Sequence, residues 1–575
     1  MKRRILGAVV LAIVACGGDT PTDPITPIGL QLSLSPSVDT LFVSAQPNPQ
    51  SSVQMAVSAT SQSGTIQVPS GRVFNSQNPT VATVDSVSGL VTAVSPGTAD
   101  VTVRVNGVRG HSTIVVLKIV HAVALTATPT SVLAGDTALV TASLSGWHGQ
   151  PVAGEPVTFT SSNPAATVSA DGHVVFSIAG TTTVTATSDS VSGTATITAL
   201  PRQFVGGALG SIATGMDATC GLLPLGRTYC FGAAPLIGTA KDTTCFDDQG
   251  APAKPCTLVP LPIARKLQLE VVTVGDSVAC GLDLQHNAYC WGDDTYGEAG
   301  NGKSGVGTAT LPAAVVGPLG SAQTFATISA GRTHACGLTL AGNAYCWGKD
   351  STYQLGGSDG KRAVNSSTPI PVGTPELFGV IAAGRGHTCA VRVSDGAAFC
   401  WGDNRKGQLG RGTLGDSSDV PAAIPGIAFS QISSQGDFTC GVASGGRVFC
   451  WGANDSGQTG NTSGAVTTSP AQVPGSGYVA VSAGWNHACA LSSSGSVSCW
   501  GLNDYGQLGR GNVGGSSPTP TAVPGSFTAV SAGRRTSCAV AADGAYCWGS
   551  SILGAMGNQL QALAIPTPSK TANPQ

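Results

Sequence analysis

Charge is scarce in this chain. Only 10% of its residues are Asp, Glu, Lys or Arg, and 28 Lys+Arg nearly cancel 30 Asp+Glu. That excludes a protein held to nucleic acid by phosphate contacts, and also a charge-rich disordered chain. Lys and Glu, the usual surface residues of helices, are few. Together with abundant Val, Thr and Ser, this points to strands and turns. After residue 15 no apolar run reaches 18 residues, so no second membrane-spanning helix is expected. There is no His-Glu-x-x-His and no Cys-x-x-Cys, and no carboxylate pair stands out for acid–base work. A non-enzymatic protein with no catalytic residue, cofactor or metal is therefore expected. What the chain has is length, glycine and cysteine. Its 575 residues suffice for two to four domains. Gly, at 78 residues, is about twice its usual share and marks turns, and the 17 Cys are odd in number.

The start is basic (Met1-Lys2-Arg3-Arg4), and Ile5 to Ala15 is an apolar run of eleven residues. Such a run is too short to span a membrane and suits the core of a secretory signal. Ile13-Val14-Ala15-Cys16 resembles the bacterial lipoprotein processing site. The resemblance implies a signal peptide over 1–15 and a lipid on the sulfur of Cys16, which attaches the chain to the membrane and accounts for the odd cysteine. Gly17, rather than Asp, follows the cysteine. By similarity to Gram-negative sorting, that implies an outer-membrane lipoprotein of the cell envelope, facing periplasm or surface. Residues 16–27 read as a polar, Pro-rich tether.

Residues 28–118 show short alternating strands broken by Asn-Pro, Ser-Gly and Pro-Gly, the pattern of a β-sandwich. Phe74 to Val84, Gly89 to Val94 and Pro96 to Ala99 resemble the bacterial immunoglobulin-like domain of group 2. A looser second copy spans 119–200, with Phe159 to Pro164, Asp171 to Val174 and Val184 to Thr187. Neither contains Cys. The resemblance implies spacers or adhesive modules.

From Gln203 the chain repeats. Each unit reads Ile/Val-Ser-Ala-Gly, a short gap, Cys, a turn, Cys-Trp-Gly, Asn/Asp-x-x-Gly-Gln-Leu-Gly and Pro-x-x-Val. The first cysteines of successive units lie 60, 56, 53, 51, 49 and 49 residues apart. A period near 50 with several short strands per unit implies propeller blades, and seven units can close a ring without exposed sheet edges. The units resemble the regulator-of-chromosome-condensation repeat, with Asn404 to Gly410 and Asn503 to Gly509 as near-ideal copies. The first unit departs most, with Phe231-Gly232 for Trp-Gly and an insertion carrying Cys245 and Cys256, and the seventh ends in a degraded Gly554-Ala555-Met556-Gly557. The expected fold is all-β: two Ig-like β-sandwiches, a seven-bladed β-propeller over 201–568 and a tail over 569–575.

The cysteines pair within units as 220/230, 280/290, 336/346, 389/400, 440/450, 489/499 and 538/547. Five pairs are Cys-x9-Cys, and the odd lengths change only the loop tip, as a hairpin tolerates. Facing cysteines on paired strands lie within disulfide reach. Seven disulfides are expected, Cys220–Cys230, Cys280–Cys290, Cys336–Cys346, Cys389–Cys400, Cys440–Cys450, Cys489–Cys499 and Cys538–Cys547, plus Cys245–Cys256. An exported chain permits them.

His334, His387 and His487 stand two residues before a first cysteine, and one hydrogen bond to a neighbouring blade would explain them. Four residues before it stand Met216, Asp276, Arg332, Arg385, Gly436, Trp485 and Arg534; three before it, Asp217, Ser277, Thr333, Gly386, Asp437, Asn486 and Arg535. Equivalent blades would gather these unlike residues at one mouth of the ring. Variation on a rigid frame is what a recognition surface looks like, and Arg and Trp are typical anchors. Asp276, Arg332, Arg385, Asp437, Trp485, Arg534 and Arg535 are the candidate binding face. The turns after Trp-Gly, with Tyr296, Lys349, Tyr353, Arg405, Lys406 and Tyr505, are a second choice. The repeat family includes a nuclear guanine-nucleotide exchanger that binds chromatin. With 21 basic and 21 acidic residues after Leu200, the basic footprint for nucleic acid is missing here, and exchange activity is disfavoured. A plant photoreceptor of the family needs several Gly-Trp-x-His loops, of which only Gly484 to His487 occurs. A secreted bacterial inhibitor of β-lactamase, which caps its target with one face, agrees best. The expected function is therefore a lipid-anchored envelope binding or adhesion protein that recognises a protein or glycan through its propeller. A structural surface or matrix component, or a carbohydrate-active propeller enzyme, are the alternatives.

Overall fold

The computed structural model describes residues 30–43, 51–146, 149–203, 211–238, 243–246, 252–263, 267–305, 307–317, 323–357, 364–462 and 464–574. The expected signal peptide, Cys16 and the tether lie outside the described residues. The chain divides into two compact units, Met1–Leu200 and Pro201–Gln575. Among the described residues the regular elements are strands and short 3-10 turns, and no helix is long and apolar enough to cross a membrane.

In the first unit, period-two alternation becomes sandwich packing. Along Gly97–Val105, Ala99, Val101, Val103 and Val105 point inward and are at most 1% exposed. That strand pairs antiparallel with Val108–Lys118, which pairs in parallel with Val38–Val43. Phe74 closes the core beside Gly89, where φ is +75° and an added Cβ would stand 2.6 Å from the ring. Only glycine meets both demands. A second sandwich follows, with a four-stranded sheet on each side and a core that includes Val140, Val174, Phe176, Val184 and Ile197. Its strand Ser131–Leu133 also pairs in parallel with a long hairpin arm, Val191–Leu200.

The second unit is a ring of seven antiparallel blades. The innermost strands are the Ile-Ser-Ala segments, and all seven line a central channel of about 220 Å³. The two middle strands of each blade carry the cysteines directly opposite one another. All eight disulfides form, seven across middle-strand pairs with Cα atoms 4.1 Å apart and Cys245–Cys256 in the insertion of the first blade. Both strands of that insertion join the first blade, which becomes five-stranded. A continuous strand, Gly415–Ser434, is the outer strand of blade four and the inner strand of blade five. The last strand, Ile565–Lys570, carries the ring past the expected boundary at 568, because Tyr546 and Cys547 pair with Lys570 and Ser569.

Six tryptophans lock neighbouring blades. Each is 0% exposed, and each indole N–H donates to a backbone carbonyl of the preceding blade, from Leu236 to Gln507, at 2.8–3.0 Å. Ring closure explains both irregular repeats at once. Blade one has Phe231 in place of Trp and so has no donor. The carbonyl facing it, on Ala555 of the degraded last turn, keeps the Thr219 hydroxyl at 3.0 Å, the second of the two donors that the Gln354 and Gln507 carbonyls receive. Every strand of blades one and seven comes from its own stretch of chain, so the ring closes by packing and hydrogen bonds rather than by a shared blade.

Candidate functional site

The mouth is built by close approach of backbones. Where Ile-Ser-Ala ends, a glycine lets one blade touch the next: a Cβ on Gly275 would meet the Gly331 carbonyl oxygen at 1.8 Å, and one on Gly215 the Gly275 oxygen at 2.1 Å. The residue after that position, which is glycine in six blades, donates its N–H to the next blade. Seven such bonds run round the ring: Met216 to Gly275, Asp276 to Gly331, Arg332 to Gly384, Arg385 to Gly436, Gly436 to Gly484, Trp485 to Gly533, and Arg534 back to Gly215. The variable residues are thus fixed by their own main chain, which leaves their side chains to differ. Just outside them, the residue after each Trp-Gly donates to the carbonyl three places before the first cysteine, as in Lys349 to Thr333 and Asp403 to Gly386. The second-choice turns therefore border the same mouth.

The side chains converge. Trp485 of blade six donates its indole N–H to Asp276 Oδ2 of blade two, at 2.8 Å across 209 residues of sequence. The guanidinium of Arg534 lies 4.3 Å from the Trp485 ring centre and that of Arg385 5.2 Å. Arg385 also pairs with Asp437 at 3.0 Å. Arg535 lies 4.7 Å from the ring of Tyr505. Burial pushes the Asp276 carboxyl up to about 6, against the pull of the Trp485 bond and of the charges on Arg332, Arg534 and Arg385. Its second oxygen, Oδ1, is buried without a hydrogen-bond partner.

Gln435 belongs here and was missed from the sequence. It stands where the other six blades have Gly215, Gly275, Gly331, Gly384, Gly484 and Gly533. Its amide crosses the channel and donates to the carbonyls of Thr214 at 3.2 Å and Val274 at 3.4 Å, in blades one and two. That one break in an otherwise uniform glycine column was the legible signal. Two letter patterns were also passed over. Gly297 to Ser304 (GEAGNGKS) has the spacing of a phosphate-binding loop, but it lies in a turn followed by the strand Thr308–Ala314, with no helix N-terminus to receive a phosphate. Gly356-Gly357-Ser358-Asp359-Gly360 spells a nucleophile-elbow pattern, and its Ser358 lies outside the described residues.

The three histidines are inter-blade links. Nε2 of His334, His387 and His487 meets Thr388, Thr439 and Ser537 of the following blade at 3.0, 2.8 and 2.8 Å. The hydroxyls of Thr388 and Ser537 donate to the Gln354 and Gln507 carbonyls, so they accept from a protonated Nε2. All three rings are fully buried, and burial pulls them down to about 3, 4 and 3. They are neutral at physiological pH and have no access to a ligand. Among the described residues no cluster of three or more His, Cys, Asp or Glu could hold a metal ion.

Geometry and sequence comparison agree on the class of fold: a disulfide-braced seven-bladed propeller, preceded in the sequence by β-sandwiches. Residues 308–573 match the RCC1-like domain, and residues 43–116 match the bacterial Ig-like domain (group 2). Among human proteins, the probable E3 ubiquitin-protein ligase HERC6 is 31% identical over 205 residues, 35% of this chain and 19% of its own length. The E3 ubiquitin-protein ligase HERC2 is 31% identical over 140 residues, 24% of this chain and 3% of its own. The chain thus spans a fifth or less of these relatives. Solved structures similar in fold are human WBSCR16 (TM-score 0.53, 19% identity, 60% of this chain and 94% of that one) and yeast RCC1, Prp20, in its complex with Kap60 (TM-score 0.52, 21% identity, 65% of this chain and 86% of that one).

Proposed function

We propose that this chain is a non-enzymatic, lipid-anchored protein of the cell envelope that binds a protein or glycan partner through one mouth of its propeller. The observation that carries the reading is the gathering of unlike side chains, Asp276, Arg332, Arg385, Asp437, Trp485, Arg534 and Arg535, on a frame whose other positions repeat. The disulfides support a location outside the reducing cytosol. Attachment through Cys16 rests on the resemblance of Ile13 to Cys16 to a lipoprotein site. Crosslinking on intact cells tests the binding face. The fourfold variant R332A/R385A/W485A/R534A should lose the partner captured by the native chain, and an unchanged set of partners overturns the reading. Mass spectrometry of the N-terminal fragment tests the anchor. A diacylated Cys16 is expected, and an unmodified or absent cysteine in mature protein refutes it.

A further inference from the structure

The arginines at the mouth are not equivalent. Arg385 is paired with Asp437, and Arg405 is held by Asp403 at 2.7 Å. Arg332 and Arg534 make no ion pair at contact distance among the described residues, although the charges of both reach Asp276. Arg534 lies against the Trp485 ring, and Arg332 is exposed. A guanidinium laid on a rigid indole, with a second whose charge reaches the same Asp276, can take one carboxylate between them. Asp276 Oδ1 is an acceptor with no donor, on a side chain only 6% exposed. The structure thus offers two guanidiniums without an ion pair at contact distance, both within charge reach of a carboxyl that has one unpartnered oxygen.

The surroundings narrow the ligand. In the turns outside the mouth Asp403 is paired with Arg405 and Asp455 with Lys406, and Asp294 and Asp350 are buried, so Asp293, Asp504 and Lys349 leave the border close to neutral. Positive charge confined to two arginines suits one negative group rather than a chain of them. Resting on the binding reading above, we propose that the mouth receives a single carboxylate of a partner polypeptide, held by Arg332 and Arg534, while a neighbouring N–H of the same polypeptide donates to Asp276 Oδ1. The carboxylate is an acidic side chain at a loop tip or a chain terminus, with neutral or basic residues beside it.

The test uses the full chain in detergent and follows the emission of Trp485, with W485F as the blank. The probes are the blocked peptide Gly-Lys-Glu-Lys-Gly, its Gln counterpart with a free C-terminal carboxylate, the same Gln peptide fully blocked, and polyglutamate. The first two should change the emission saturably, and whichever binds more tightly tells side chain from terminus. The fully blocked Gln peptide should bind at least about tenfold more weakly. R332A and R534A should each weaken the preferred peptide about tenfold or more. R510A should leave it unchanged, because Arg510 donates to Asn512 at 2.7 Å in an outer turn. The assignment is overturned by equal binding of the fully blocked Gln peptide, by tighter binding of polyglutamate, by indifference to R332A and R534A, or by no saturable change with any probe. If it falls while the fourfold variant still loses its crosslinked partner, the binding face stands and only the carboxylate is wrong.

Discussion

Four blades seat a glutamine in the turn that follows Trp-Gly. Gln354, Gln408, Gln458 and Gln507 are at most 2% exposed, and each accepts on Oε1 the backbone N–H two residues earlier, at 2.7–2.9 Å. Blade two has Glu298 there, 0% exposed, taking the Tyr296 N–H on Oε2 at 2.7 Å. Its other oxygen is buried without a partner, as are the amide nitrogens of Gln408, Gln458 and Gln507. A site shaped for a neutral amide thus holds an acid. Burial pushes that carboxyl from 4.5 up to about 7, opposed by backbone hydrogen bonds and helped by the nearby charges of Asp293 and Asp294. The folded state therefore binds the proton more tightly than the unfolded chain. The stability this group contributes is fully present below about pH 4.5 and is lost as pH rises through 7. The displacement amounts to about 3 kcal/mol at full burial and about 2 kcal/mol once solvent near the turn screens it. Glu298→Gln should remove this loss. At pH 8 the variant should melt about 2–3 °C above the native protein, since a ring this size shifts little per kcal/mol, and at pH 4 the two should coincide. Calorimetry across pH 4–8 decides it. A gain that does not change with pH, or a loss at pH 8, refutes the reasoning.

His334, His387 and His487 act in the opposite sense. Burial holds their folded values at about 3, 4 and 3, so the stability they contribute is present above 6.5 and is lost as pH falls toward those values. H387Q should lower the urea midpoint at pH 7 and flatten its decline between pH 6.5 and 4; an unchanged acid slope refutes this. Removing one blade disulfide, C440A/C450A, should cost about 3 kcal/mol on the chain-entropy estimate and leave the other seven bonds in place, read by denaturant unfolding and peptide mapping. Free thiols throughout the native protein would refute the pairing. T219V should leave the Ala555 carbonyl without its donor and cost about 1–3 kcal/mol, whereas the same change at an exposed threonine such as Thr92 should cost under about 0.5 kcal/mol. Equal effects would show that ring closure does not depend on that bond.

The repeat, its period and its cysteine ladder determine the propeller and its disulfides without any coordinates. A hairpin with facing cysteines is a local object, repeated seven times, six of them with a buried Trp-Gly. The alternation in residues 28–200 likewise determines sandwiches, because strand period and burial are coupled one residue at a time. Even the candidate face was legible as a column of unlike residues beside a column of like ones, since each blade places them equivalently. Only the tertiary structure decided what those residues do to one another. The bond from Trp485 to Asp276 spans 209 residues, and the reach of Gln435 to Thr214 spans 221. No local pattern encodes contacts made across the axis of a closed ring. Closure itself is of this kind. Phe231 and Ala555 look like two separate defects in the sequence, and they become the two sides of one joint only when the first and last blades meet.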